Sequence, residues 1–139
     1  MPTLTSVSFL TAFLLLLATC GEAMTIRFRG VRVSGSFPAL VLAMALVGPV
    51  PAAVVAGVAV SVGRRSVFKA VTHAAIALAG AAVLESFGAG EPIVFATAVA
   101  AVSMLAHAAA FTSTAAYLAL RGVLSVSEAI RTVYRTMLP

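Results

Sequence analysis

Charge and reactive side chains are scarce in this chain of 139 residues. It has four carboxylates, all glutamate, two histidines and one cysteine. A lone cysteine, Cys20, excludes an internal disulfide and any Cys-based metal cluster. No glycine loop able to cradle phosphate is present, no His-Glu-x-x-His helix, and no pair of acids at working spacing. The residues therefore hold no catalytic constellation, and neither an enzyme nor a cofactor is expected. Charged residues make up only 9% of the chain, against 62% hydrophobic. The mean hydropathy is +1.14. Soluble domains are about half apolar and a quarter charged. An all-α integral membrane protein is predicted, a single domain over residues 1–139 with about four spans.

The stretch 34–63 organises the rest. It carries no charge, and Arg64-Arg65 follows at once. Residues 37–62 would make roughly 39 Å of helix, against roughly 30 Å of bilayer hydrocarbon. Gly48-Pro49-Val50-Pro51 interrupts it. Each proline removes a backbone donor and clashes with the preceding turn, so a kink or an unwound turn is expected near mid-membrane. The carbonyls of Ala45 and Val47 would lose their helical partners there, and broken backbone in hydrocarbon must be satisfied by protein, water or ligand. Thr97, Ser103 and His107 match the break in depth. A small polar cavity is therefore expected among Gly48, Pro49, Pro51, Thr97, Ser103 and His107, open toward the side bearing Arg27, Arg29 and Arg32. For the break itself, a simple proline-kinked span packed on its neighbours is the first reading, and a half-helix pair beside such a binding cavity is the other.

The remaining spans are expected at about 7–21, 70–87 and 93–120. No basic residue precedes Arg27, so the first run lacks the n-region of a secretory signal. Thr19 sits where a lipoprotein signal has a smaller residue, so retention of this run is expected. Ile26-Arg27-Phe28-Arg29 and Val31-Arg32-Val33 alternate apolar and basic about Gly30, which suggests a short surface hairpin. Its three arginines could contact an anion or lipid phosphate. In the third span, Ala70 and Ala74, and also Ala75 and Ala79, are small residues four apart that favour close helix packing. Ser125-Val126-Ser127-Glu128 reads as a capping box opening an amphipathic interfacial helix over about 126–138.

Four crossings put Arg64, Arg65, Lys69, Arg121, Arg131 and Arg135 on one side and Arg27, Arg29 and Arg32 on the other. That bias predicts an inner-membrane, multi-pass protein with both termini cytoplasmic. Arg64, Arg65, Lys69, Arg131 and Arg135 would then meet anionic headgroups. The net charge of +5 is assigned to orientation and lipid contact, with no nucleic-acid partner. His73 and His107 are the ionisable residues most clearly inside spans, and such residues call for a functional hypothesis. Counted from the basic end, His73 lies one turn in and His107 roughly 21 Å in. That mismatch argues against a shared metal site.

Two stretches together resemble known families. The Gly-Pro-broken segment in 34–63 resembles the second span of the S components of energy-coupling-factor vitamin transporters. It also resembles that span in the N-terminal membrane input domains of bacterial signalling proteins carrying HD-GYP or GGDEF domains. The second likeness extends through Arg64 to Ala70, Thr72-His73-Ala74-Ala75, Leu105-Ala106-His107 and Ser127 to Arg131. Histidines stand where that group often has asparagine. No HD-GYP or GGDEF motif is present, which implies a truncated or stand-alone relative. The likeness implies a membrane input domain that binds a small ligand or a partner. A solute-binding transporter subunit is the alternative, as is a structural subunit packing on other membrane proteins or on its own copies.

Overall fold

Five helices and one hairpin make up the computed structural model, which describes residues 4–28, 31–64, 66–88, 91–123, 125, 127–128 and 130–131. In chain order they are α1 (Leu4–Ala23), β1 (Thr25–Phe28), β2 (Val31–Ser34), α2 (Phe37–Leu46), α3 (Pro49–Arg64), α4 (Val67–Phe87) and α5 (Pro92–Leu120). β1 and β2 pair antiparallel, with Arg27 opposite Arg32. The alternation about Gly30 thus does form a hairpin. α4, of 21 residues, and α5, of 29, are each long and apolar enough to cross a membrane. α2 and α3 are shorter, and the expected single span over 37–62 is replaced by two helices.

The reason lies at Gly48. Its φ of +85° is left-handed backbone, which an L side chain adopts only at a cost and glycine adopts freely. Val47 caps α2, Gly48 follows as the left-handed residue, and Pro49 opens α3 in the first helical position. That is the stop-and-start grammar of two helices, with glycine just past one end and proline just inside the next. The chain also reverses there instead of kinking. Met44 packs on Gly80, whereas Gly57 faces Ala74 and the carbonyl of Ala70. Advancing from 44 to 57 therefore moves back along α4, toward its start. α2 runs parallel to α4 and α3 antiparallel to it.

This reversal reassigns the ends of the bundle. The hairpin, the end of α3 with Arg64, the start of α4 with Lys69 and the end of α5 with Arg121 share one end. The Gly48 turn, Glu85 and Pro92 share the other. The start of α1 and the end of α5 consequently lie at opposite ends. An arrangement of four spans with both termini together does not fit this packing. The alternate-side count assumed that 37–62 crosses once.

Small side chains bring the helices together. Ala39, Ala43, Ala52, Val55, Ala56 and Ala59 are buried, as are Ala70, Ala77, Ala81 and Leu84 of α4. Ala98, Val102 and Ala106 are the buried residues of α5, four apart, so a single stripe of this helix meets α4. Of the expected small pairs, Ala70 and Ala74 face α3, while Ala75 and Ala79 are exposed. The closest approach is at Gly21, where an added Cβ would lie 2.6 Å from the backbone of Gly35 and Ser36. The end of α1 thus abuts the start of α2 backbone to backbone, and the amide of Gly35 donates to the carbonyl of Gly21 at 3.1 Å.

Candidate functional site

A cavity of about 490 Å³ opens at the basic end, between the first half of α2, the first half of α4 and the second half of α5. That volume lies within the range of small-molecule sites, roughly 300–1,000 Å³. α2 and α5 touch at few points, so the cavity occupies the gap between them. Its lining divides by depth. Leu40, Met44, Ile76, Ala77 and Ala106 form an apolar floor, and Glu22, Lys69, His73, His107 and Thr114 supply the polar atoms.

The polar rim is built from the close approach at Gly21. Glu22 is 6% exposed and Ser36 is 3% exposed. Glu22 Oε1 accepts the hydroxyl of Ser34 at 2.6 Å and that of Ser36 at 2.5 Å. Ser34 Oγ in turn accepts the backbone amide of Ser36 at 3.2 Å. A buried carboxylate is costly unless such donors meet it. Here the donors come from the strand and turn that lead into α2, so the same bonds that satisfy Glu22 latch α1 to α2.

Both histidines reach this cavity. His73 Nδ1 donates to the carbonyl of Lys69 at 2.8 Å, which leaves Nε2 for another partner. The His107 ring packs edge-on against Phe37, at 4.7 Å between centroids, and against Phe111, at 4.8 Å. These contacts fix the orientation of the ring, and neither ring nitrogen has a hydrogen bond to the described residues. The depth mismatch predicted between the two histidines shrinks for two reasons. α4 begins at Val67, a turn earlier than expected. Phe68 stacks on Tyr117 at 4.5 Å, so the last turn of α5 overhangs the start of α4. Among the described residues, no three metal-ligating side chains converge.

The six residues expected to share a cavity at the break are not brought together. Gly48 lines a second cavity, of about 500 Å³, with Leu84, Glu85, Pro92 and Phe95 at the end away from the arginines. His107 lines the first cavity. Pro49 and Pro51 line neither. Thr97 and Ser103 spend their hydroxyls on α5 itself, donating to Ile93 O at 2.8 Å and Val99 O at 2.6 Å. The break therefore meets the α4–α5 turn near one end of the bundle, because the chain reverses before it could enter the middle.

Of the expected anion and lipid contacts, Arg27 and Arg32 sit on the hairpin and Arg64 ends α3, all at the cavity end by backbone position. Lys69 lines the cavity itself. Arg131 is exposed beyond α5, and Arg29, Arg65 and Arg135 lie outside the described residues. The capping box forms in both directions. Ser125 Oγ accepts the amide of Glu128 at 3.3 Å, and Glu128 Oε2 accepts the amide of Ser125 at 3.0 Å. The hydroxyl and amide of Ser125 hold the Glu128 carboxyl below its ordinary range. Most of the helix expected over 126–138 lies outside the described residues.

Sequence reasoning missed Glu22, Ser34 and Ser36, since one glutamate and two serines on either side of a hairpin carry no site spacing. The signal available was a glutamate beside Gly21 and a Ser-Gly-Ser run on the far side of a hairpin, where two small residues allow the backbones to meet. Comparisons with known protein families, curated proteins and solved structures gave no match.

Proposed function

We propose that the chain is a polytopic inner-membrane protein that binds a small ligand in the cavity between α2, α4 and α5 and acts as a sensory input domain. The observation that carries the reading is His107. It is an imidazole inside an apolar bundle, with two aromatic rings in T-shaped contact and no hydrogen bond to either nitrogen among the described residues. Polar atoms at membrane depth need a partner, and one that faces a cavity takes it from water or a ligand. The helix that carries His107 also carries the route out. Tyr117 stacks on Phe68 and accepts from Arg121 Nε at 3.0 Å, and the Ser125–Glu128 cap follows within two turns. Closure of α5 on a ligand would shift that segment, which supports sensing over packing alone. The likeness to bacterial input domains agrees with this direction of output.

The charge distribution supports an orientation. Arg27, Arg32, Arg64, Lys69 and Arg121 gather at one end, with Glu85 and Glu91 at the other. A basic end faces the cytoplasm, so the cavity and the segment after α5 face inward, and the chain begins on the outside. A solute-binding transporter subunit would use the same cavity and would differ by moving its ligand across.

The test is purification from native membrane, with bound small molecules identified by mass spectrometry. A compound should accompany the wild type and be lost from Ala106→Phe, which fills the cavity floor, and from His107→Leu, which removes the nitrogens and keeps the bulk. An identical set of compounds from all three proteins would reject the reading.

A further inference from the structure

Resting on the reading of this cavity as a ligand site, the geometry points to an organic anion with an apolar body as its occupant. Its carboxylate or phosphate would be held by Lys69, His73 and His107, and its body would lie on Leu40, Met44, Ile76 and Ala77. The donors are present and positioned. His73 Nδ1 is committed as donor to Lys69 O, so Nε2 of the neutral ring is an acceptor, and it donates to a carboxylate only after taking the acid's own proton. The His107 nitrogens have no hydrogen bond to the described residues, and imidazole can donate to an acidic oxygen. Lys69 already has an interaction of its own and contributes here through its place in the lining.

The one carboxylate in the lining does not oppose an anion. Glu22 is 6% exposed, and its Oε1 accepts two serine hydroxyls, so donors of the rim itself already meet its charge. By backbone position Arg27, Arg32, Arg64 and Arg121 belong to the same end, and apolar walls concentrate the field of a basic end within a cleft. A cationic ligand would meet that field and the Lys69 ammonium, and the carboxylate in the lining, Glu22, is already bonded to Ser34 and Ser36. Below the imidazoles the floor is apolar, and Met44, with its flexible thioether, can adapt to the shape of the ligand's body. The sparse α2–α5 contact leaves a gap between these helices that the Phe37–His107 ring contact bridges. An acid dissolved in the bilayer could enter there, and a water-soluble acid could enter from the basic end.

The experiment uses the full chain in nanodiscs of phosphatidylcholine, with photoactivatable decanoic acid, decanol and decylamine carrying the label on the same carbon. The acid is expected to label Leu40, Met44 or Ile76 about tenfold more than either analogue, the scale of one charge-assisted hydrogen bond. His107→Leu and His73→Gln should each lower that labelling by a similar factor while leaving decanol labelling of exposed Leu105 unchanged, which reports intact insertion. Equal labelling of the cavity by amine or alcohol overturns the anion assignment and leaves the ligand cavity standing. Labelling confined to lipid-facing residues such as Phe9 and Leu105 with all three probes overturns both. Phenylbutyrate added in water separates the sources. Loss of the acid's label marks a site reached from water, and retention marks one filled from the bilayer.

Discussion

Gly21 and Glu128 show how single residues set local geometry at the basic end. An alanine at Gly21 would place a methyl 2.6 Å from the Gly35 backbone, where no flexible side chain can give way. Gly21→Ala should cost about 1–3 kcal/mol, the range for overpacking. It should also separate Glu22 from Ser34 and Ser36. A lower thermal midpoint in nanodiscs checks the first effect, and weaker ligand retention checks the second. Glu128 makes a prediction of opposite character. Its carboxyl is held below the ordinary range by Ser125, so the charged form is the one bonded in the folded state. The sign follows: the cap's stabilisation is complete above the unfolded value and is lost as pH falls through the lowered folded value. The Ser125 and Glu128 amide resonances should therefore keep their capped positions at neutral pH and move together only in acid. In Ser125→Ala they should sit at the frayed positions at every pH.

At the scale of elements, the Gly48 turn decides the topology. An added Cβ at Gly48 meets nothing within 4 Å, so Gly48→Ala is penalised by backbone conformation alone, by roughly 1–2 kcal/mol for a left-handed residue. Thermal unfolding of that variant should show this loss while ligand retention in the folded fraction stays unchanged, since Gly48 lies at the other end from the histidines. A loss of ligand from folded Gly48→Ala would mean that the two cavities communicate. Pro49 occupies the first turn of α3, where no helical donor is required, so Pro49→Ala should change stability little. The same proline at the centre of a continuous span would have been a kink whose removal straightens the helix. The two variants together thus separate a reversal from a kink.

For the whole molecule, the reversal predicts where each connection lies. In a Cys20→Ala background, Arg27→Cys and Ser66→Cys should share one labelling behaviour toward a membrane-impermeant maleimide, and Glu91→Cys should show the opposite one. In intact cells the proposed orientation, with the basic end inward, has only Glu91→Cys react. Opposite behaviour at positions 27 and 66 would restore the single crossing over 37–62 and undo the parallel packing of α2 on α4.

Much of this protein was legible in its sequence because the signals are local. Apolar runs without charge specify helices whatever they pack against, and α4 and α5 follow their runs closely. Ser125 and Glu128 are three residues apart, so the cap needs no distant partner, and the hairpin about Gly30 is set by alternation and a turn. Even the stop at Gly48 and the restart at Pro49 were written locally. The direction of the chain after that stop was not. A glycine-proline pair permits both a kink and a reversal, and only the burial of Ala52, Val55, Ala56 and Ala59 against neighbouring helices selects the reversal. Once it is selected, the hairpin, Lys69, His73 and His107 fall at one end, and residues 22, 36, 73 and 107 share a cavity that no spacing along the chain could announce. Local chemistry determined what the elements are; side-chain packing, which acts between residues far apart in sequence, decided which of them meet.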